Sequence, residues 1–332
     1  MSSFISNFKK YQNSWRFLCV LCCGILVMCL VNFSIYCIRQ NKKISYPEEQ
    51  LFNSFFGRKC LAMKWPVIFY GDSRTYYGID PAVVSEITGK DGLNAGFGAG
   101  GMNEMMMRYI DSRILRGEAP SVIVLGVSPY SLTETARQNE CFLHYSKKLQ
   151  QHGERLFQEA GASKAEIALM PLYKVCSIGS LRNGKIVYGK RYTHRYHDNG
   201  HCETLVHGDT SKSVAWTMKI YKERHFAADN PISRRSEEET LSWIRRWSRE
   251  GILVFAFRPP TCEAMVQLEN TRTAFPERHF PQKVREAGGF WLEYPHADLN
   301  AFDASHLDGA SAVKLSRFLG EQIASEIRKR ER

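Results

Sequence analysis

The sequence is poor in the residues that mark fibrous or disordered chains. It has only 12 prolines and 24 glycines among 332 residues, and its glycines follow no G-X-Y period, which excludes a collagen-like rod. A hydrophobic content of 44% with 12% aromatic residues excludes an intrinsically disordered chain. The length suits one large α/β domain or two small ones. The net charge of +11 allows a polyanionic partner but does not select one.

Charge is absent from one long stretch, the 22 residues from Phe17 to Ile38. As a helix this run would measure about 33 Å, enough to cross a hydrocarbon core of ~30 Å. The alternative is a cleaved signal peptide, whose apolar core is normally about 7–15 residues and ends at a small-x-small site. The run is longer and lacks such a site, so we predict an uncleaved anchor in the lipid bilayer. Three basic residues precede it and three follow it, which leaves its orientation open.

The ten cysteines do not indicate a disulfide framework, because five of them lie within the uncharged run. The other five are Cys60, Cys141, Cys176, Cys202 and Cys262. They are odd in number and include no C-x-x-C pair, which excludes a zinc ribbon. One or two disulfides remain compatible with this spacing, and scattered buried thiols are the simpler interpretation.

The chain is predicted to have four parts. These are an N-terminal tail at 1–16, a transmembrane anchor at 17–38, a polar linker at 39–60 and an α/β domain at 61–332 with an insertion at about 140–232. Within the domain, short apolar runs are typical of buried strands and alternate with segments that carry helix-cap signals. The predicted strands are Pro66–Tyr70, Ser121–Gly126, Ile252–Phe257 and Phe290–Tyr294.

Helix signals fall between these runs. Asp80-Pro81 begins one helix, which Gly89 ends; Ser236–Glu239 reads as a capping box for another; Leu307–Arg328 reads as a closing helix. Strands alternating with helices predict a three-layer, doubly wound, mostly parallel sheet with helices on both faces. In such sheets the ligand site lies beyond the carboxyl ends of the strands.

The insertion contains a turn signal, Asp198-Asn199-Gly200, which predicts a β-hairpin. Four histidines and a cysteine lie around it, namely His194, His197, His201, His207 and Cys202. A metal site is one interpretation, but the turn opposes a helix, and Arg191 and Arg195 would repel a cation. A basic aromatic surface that binds an anionic glycan is a better interpretation, and a solvated hairpin is preferred to both.

Three polar segments stand at predicted strand ends. Gly71-Asp72-Ser73 follows the first strand and would expose a serine hydroxyl on a strand-to-helix turn. A glycine-rich turn follows Asn94, with backbone N–H groups that can bind an oxyanion. Asp303 precedes His306 by three residues, so its carboxylate can hold one imidazole nitrogen while the other takes a proton from a serine. Each segment alone also fits a plain turn or helix cap.

Together these segments resemble the SGNH/GDSL hydrolase superfamily. The matching motifs are V-I-F-Y-G-D-S at 67–73, N-A-G-F-G-A-G-G at 94–101 and F-D-A-S-H-L at 302–307. The resemblance implies a flavodoxin-like sheet with Ser73 as nucleophile, His306 as general base and acid, and Asp303 as its orienting group. It also implies an oxyanion hole formed by the Ser73 N–H and the turn at Gly98, Ala99 and Gly100.

Two positions depart from the family pattern. Ala99 stands where a glycine is usual, which a backbone N–H donor tolerates. The third motif lacks its oxyanion asparagine, since the strand continues into Val127-Ser128-Pro129, and only Ser128 could substitute. Losing one oxyanion donor typically costs about 2.7–4 kcal/mol of transition-state stabilisation. We further expect Asp72 and Arg258, at two strand ends, to contact substrate.

The modified third motif together with an anchor is similar to a membrane-bound branch of the superfamily. This branch includes bacterial envelope polysaccharide O-acetylation proteins and the D-alanyl-lipoteichoic acid transfer protein. The likeness implies a catalytic domain on the outer face of the cytoplasmic membrane, an acylated glycan or envelope polymer as substrate, and a membrane acyltransferase as a further partner.

The expected activity is that of a serine esterase or O-acyltransferase without a metal or cofactor. The alternative is a non-catalytic SGNH-like scaffold that binds an envelope polymer or assists a multi-span acyltransferase, which the absent asparagine favours. No motif supports nucleic-acid binding.

Overall fold

The structure is a computed structural model. It describes residues 22–24, 26–27, 65–98, 102, 107, 110–111, 114, 117, 119–138, 191–197, 199–294 and 298–331. The chain divides into two compact units, residues 1–51 with 158–187 and residues 52–157 with 188–332. All strands and helices named below belong to the second unit. The predicted linker and most of the predicted anchor and insertion lie outside the described residues.

The described part of the second unit is built on a five-stranded parallel sheet. Its strands are β1 (Val67–Gly71), β2 (Gly92–Asn94), β3 (Val122–Gly126), β6 (Leu253–Phe257) and β7 (Phe290–Leu292). Their order is β2-β1-β3-β6-β7, and every neighbouring pair is parallel. The chain winds outward in opposite directions from β1 and β3, so a crevice opens between their carboxyl ends. The predicted α/β class with a mostly parallel sheet is confirmed.

α-Helices lie between and after the strands in the described part of the second unit, and several of them pack on one or the other face of the sheet. They are α1 (Ser73–Gly78), α2 (Pro81–Thr88), α3 (Glu134–Arg137), α4 (Ser211–Ile220), α5 (Arg234–Arg249), α6 (Glu263–Thr273), α7 (His279–Glu286) and α8 (Gly309–Arg330). The second unit also has a 3₁₀ turn at Tyr130–Leu132 and a π-helical turn at Tyr221–His225.

Two hydrophobic cores lie on opposite sides of the sheet because alternate strand residues point to opposite faces. In β1, Ile68 and Tyr70 pack on one side, together with Trp247 of α5. Val67 and Phe69 pack on the other side, with residues of α2 and α8. Both faces of every long strand are apolar, which is the pattern expected of a parallel sheet buried between helical layers.

Helix caps follow the sequence signals at one position and depart from them at another. The Asp80 carboxylate caps α2 and Gly89 ends that helix with a left-handed φ of 66°, as predicted. The capping box predicted at Ser236 is wrong, because α5 begins three residues earlier and Ser233 accepts the N–H of Ser236. The segment before Ser233 is held extended by tertiary contacts, since the Ile232 N–H donates to the Thr273 carbonyl. Sequence spacing does not report such a contact.

The predicted hairpin is present. Strands β4 (Tyr192–Tyr196) and β5 (Cys202–Val206) pair antiparallel, and Gly200 takes a positive φ of 84° in the turn. Among the described residues, no helix is both long and apolar enough to span a bilayer. The anchor at 17–38 stays a prediction.

Candidate active site

The serine lies on a tight turn at the carboxyl end of β1. Asp72 caps α1 through its carboxylate, which accepts the Arg74 N–H at 2.9 Å, and Ser73 begins the helix. Gly71 is required here, because a β-carbon on it would lie 2.2 Å from Thr75 Oγ1 and 2.5 Å from the Gly126 carbonyl oxygen. The turn therefore fits closely between the ends of β1 and β3, where the crevice opens.

Ser73, His306 and Asp303 come together at this point, although the serine is distant from the other two in sequence. His306 Nε2 lies 2.8 Å from Ser73 Oγ, and His306 Nδ1 lies 2.8 Å from an Asp303 carboxylate oxygen. Both the histidine and the aspartate side chains are mostly buried, at 16% and 14% exposure. The arrangement places the proton of the neutral imidazole on Nδ1, facing Asp303, and leaves Nε2 to accept the serine proton.

Asp303 is held in its charged form. Burial opposes ionisation most strongly, but the His306 ring and its hydrogen bonds outweigh burial, and the pKa of Asp303 is lowered. Its second carboxylate oxygen accepts the backbone N–H groups of Ser305 and His306 at 3.0 and 2.8 Å. This aspartate consequently fixes both the imidazole and the loop that carries it.

Asn94 organises the glycine turn that follows β2. Its fully buried amide donates to the carbonyls of Thr75 and Ile79 at 2.8 and 2.7 Å, and its oxygen accepts the Gly96 N–H at 3.0 Å. These bonds tie the turn to helix α1, which begins at the serine. Gly98 is half-buried in this turn. Ala99 and Gly100 lie outside the described residues, so their part in an oxyanion hole stays a prediction.

Ser128 occupies the place of the missing asparagine at the end of β3, and it is fully buried. Its hydroxyl donates to the Asp72 carboxylate at 2.6 Å and accepts the Ser131 N–H at 3.2 Å. Burial raises the pKa of Asp72, although Arg74 and the Ser128 hydroxyl oppose the rise. In this arrangement the only hydroxyl proton of Ser128 is directed at Asp72, and Asp72 is itself 4% exposed.

Arg258 lies at the end of β6, at the same edge of the sheet, but its guanidinium is engaged in contacts within the protein. It pairs with Glu269 at 3.1 Å and Glu277 at 2.6 Å, and donates to Asn270 at 2.9 Å. The structure therefore accounts for this arginine through ion pairs with α6 and the loop that follows it. Contact of Arg258 or Asp72 with substrate stays a prediction.

Four residues at the site escaped the sequence reasoning, namely Arg74, Glu269, Ser305 and Tyr221. Arg74 follows the serine directly, and its buried guanidinium forms an ion pair with Glu269 at 2.8 Å. Burial opposes this charge most strongly, but Glu269 outweighs it and the pKa of Arg74 is raised. Arg74 Nε also donates to Ser305 Oγ at 3.1 Å, and the Tyr221 hydroxyl lies 3.0 Å from the same oxygen. The one available signal was the position of this arginine, directly after the candidate nucleophile Ser73.

An aromatic group lies beside His306. The Tyr77 ring lies 4.6 Å from His306, and His194 of β4 lies 5.2 Å from Tyr77. Tyr192 and Phe302 complete the group. Burial is the main cause that lowers the pKa of His194 to about 4, and the neighbouring His306 ring contributes to the lowering. The hairpin thus supplies a neutral aromatic wall next to the imidazole.

The other histidines of the hairpin are bound to protein groups. His197 contacts Glu203 at 3.1 Å, and His201 Nδ1 donates to the Tyr76 carbonyl at 3.2 Å. Across the described ranges, no group of three His, Cys, Asp or Glu side chains is arranged to hold a metal ion.

The fold and this geometry define an α/β protein with a Ser-His-Asp hydrogen-bonded chain at the switch point of a doubly wound sheet. Comparison of the whole chain with protein-family models, with curated proteins and with solved structures returns no match.

Proposed function

We propose that the protein is a membrane-anchored serine esterase or O-acyltransferase that acts on acyl esters of an extracytoplasmic cell-envelope polysaccharide. The observation that carries the proposal is the unbroken chain from Ser73 to His306 to Asp303, with both hydrogen bonds at 2.8 Å. The resemblance of the three motifs to SGNH/GDSL hydrolases supports the same chemistry. The uncharged run at 17–38 supports the anchor, and the net charge of +11 suits an anionic polymer.

The reaction follows from the geometry. Ser73 Oγ attacks the ester carbonyl carbon while its proton passes to His306 Nε2. The ester C–O bond then breaks, and the leaving oxygen takes that proton from His306, which leaves an acyl group on Ser73. Water or a sugar hydroxyl next attacks the acyl carbon and gives its proton to His306. The serine oxygen departs with that proton, which releases an acid or forms a new ester.

A fluorophosphonate probe and p-nitrophenyl acetate test the proposal on the full-length protein in detergent. We expect Ser73 to be labelled and the ester to be hydrolysed, and we expect Ser73→Ala to abolish both. Ser85→Ala is the matched control and should retain both activities, because Ser85 lies on helix α2 and its hydroxyl donates to Asp91. Absence of labelling and of turnover in the wild-type protein would exclude the hydrolase.

The second candidate function is a non-catalytic scaffold. It is favoured by Ser128, whose hydroxyl proton is directed at Asp72 and so does not replace the missing asparagine donor. In cells, the scaffold predicts that Ser73→Ala leaves the acyl content of the polymer unchanged while deletion of the gene changes it. If the protein is an enzyme, Ser73→Ala and deletion of the gene should change the acyl content of the polymer in the same direction.

A further inference from the structure

Arg74 and Ser305 form a second link beside the catalytic pair. Arg74 follows Ser73 and Ser305 precedes His306, so the Arg74–Ser305 hydrogen bond of 3.1 Å runs alongside the Ser73–His306 bond of 2.8 Å. The two bonds join the same two segments, the start of α1 and the loop before α8. The second link uses side chains that play no part in the proposed proton transfers.

Ser305 is the central member of this link. It is fully buried, and its hydroxyl meets both Arg74 Nε and the Tyr221 hydroxyl, the latter at 3.0 Å. Tyr221 lies on the π-helical turn after α4, and the Arg74 guanidinium carbon lies 5.7 Å from the centre of its ring. Three separate segments therefore converge on one serine oxygen.

The far side of Arg74 is also fixed. Its guanidinium forms an ion pair with Glu269, which is fully buried on α6. Glu269 in turn pairs with Arg258 at the end of β6. A buried charge held between partners resists displacement, because moving it would leave the remaining charges unpaired. Arg74 is accordingly a fixed hydrogen-bond donor for the loop that carries Ser305.

The loop itself requires such support. Ala304 has a φ of 76°, a left-handed conformation that a residue with a β-carbon rarely adopts, and it lies between Asp303 and His306 in sequence. Its carbonyl accepts the Cys262 N–H at 3.0 Å. A strained residue persists only where the surrounding contacts enforce its conformation, and here the adjoining Ser305 contacts Arg74 and Tyr221 through its hydroxyl.

We infer that Arg74 is a positioning residue that acts through Ser305 to hold the strained Asp303–His306 loop in register with Ser73. This inference rests on the proposed serine chemistry and deepens it, because it assigns a role to the buried Arg74–Glu269 pair. Misplacement of a reacting group by about 1 Å can cost about a hundredfold in rate. The hydroxyl of Ser305 is thus a requirement for reactivity rather than for folding.

Ser305→Ala tests the inference in the full-length protein, since it removes one hydroxyl and leaves the backbone intact. Ser316→Ala is the matched control, because Ser316 is equally buried and also makes two hydrogen bonds, to the Asp80 N–H and the Ala312 carbonyl. We expect the two variants to lose similar thermal stability. Labelling of Ser73 by fluorophosphonate should slow by about tenfold to a hundredfold in Ser305→Ala only.

A spectroscopic readout separates this inference from the proposed function. The Nδ1 proton that His306 donates to Asp303 should give a low-field proton resonance, assigned by its loss in Asp303→Ala. We expect it in the wild type and in Ser316→Ala, and broadened or absent in Ser305→Ala and Arg74→Lys. If the fluorophosphonate does not label Ser73 in the wild type, the proposed function is overturned. The low-field resonance still tests the positioning role in that case. An unchanged resonance in Ser305→Ala, or an unchanged labelling rate where the wild type labels, would overturn the positioning role.

Discussion

Asp303 supports the imidazole of His306 and the loop around it with different oxygens. One oxygen meets the imidazole Nδ1, and the other accepts two backbone N–H groups. An amide in its place can accept at one atom only and donates at the other. The proposed mechanism therefore needs both the charge and the geometry of this carboxylate, which favour the imidazole tautomer that can accept a proton from Ser73.

Asp303→Asn should leave the protein folded and slow its reaction with p-nitrophenyl acetate by about 10³–10⁴-fold, because the imidazole loses its charged partner. The initial rate at pH 7 measures the effect. Asp298→Asn is the matched control, since Asp298 is an exposed acid on the same connection, paired with Lys314, and its loss should leave the rate unchanged. Equal rates for the two variants would show that Asp303 has no orienting role.

Two histidines, the buried His201 and the half-buried His194, make stability depend on pH. Burial lowers the pKa of both His194 and His201 to about 4. The unfolded chain, in which a histidine has a pKa of about 6.5, binds these protons more readily. The stabilisation from the neutral rings is therefore complete above pH ~6.5 and is lost as the pH falls towards 4.

His201→Asn should reduce this pH dependence, because the amide can donate to the Tyr76 carbonyl and does not titrate. We expect the loss in the free energy of unfolding between pH 7 and pH 5 to shrink by on the order of 1–2 kcal/mol. Urea denaturation at the two pH values measures it. The exposed His207 provides the control, and His207→Asn should keep the wild-type difference.

At the scale of elements, Thr75 packs closely against the ends of β1 and β3, where each strand has a glycine. A β-carbon on either Gly71 or Gly126 would lie 2.2 Å from Thr75 Oγ1. This hydroxyl is buried and has no hydrogen-bond partner among the described residues. Gly71 and Gly126 are paired in neighbouring strands, and the Thr75 side chain fills the space where a β-carbon of either residue would lie.

Gly126→Ala should lower the free energy of unfolding by about 1–3 kcal/mol, because the added methyl group overpacks this space. Combining it with Thr75→Ala, which removes the obstructing oxygen, should recover at least ~0.5 kcal/mol relative to the sum of the single changes. Chemical denaturation of the four proteins measures the coupling.

Gly208 provides the control for this comparison of single and double variants, since nothing lies within 4 Å of a β-carbon built on it. Gly208→Ala should leave stability unchanged within about 0.5 kcal/mol. Strict additivity of Gly126→Ala and Thr75→Ala would contradict the packing explanation.

For the whole molecule, the uncharged run at 17–38 predicts firm membrane attachment. The full chain should sediment with membranes and resist extraction by alkaline carbonate. Arginine at the centre of a spanning helix costs about 2.5–3.5 kcal/mol, so the double change Leu26→Arg with Val27→Arg should release the chain or prevent its insertion. Leu26→Ala with Val27→Ala is the control and should stay in the membrane fraction. A shortened chain that appears in the soluble fraction would instead identify a cleaved signal peptide.

Local signals in the sequence determined the fold class, several element boundaries and the identity of the Ser73, Asp303 and His306 candidates. Buried apolar runs, a proline after an N-cap aspartate, and an Asn-Gly turn act within a few residues, so they can be recognised without tertiary contacts. The start of α5 escaped this reasoning because Ser233 is placed by a backbone contact of Ile232 with Thr273, a residue of another helix.

Only the tertiary structure decided what the side chains around these candidates do. Arg74 and Ser305 are 231 positions apart in the sequence, yet they form one buried hydrogen bond, and Ser128 is directed at Asp72 across two strands. The physical reason is that a buried polar group stabilises or destabilises the fold according to whether it has a hydrogen-bond partner. That partner comes from a distant segment, which local sequence pattern does not reveal.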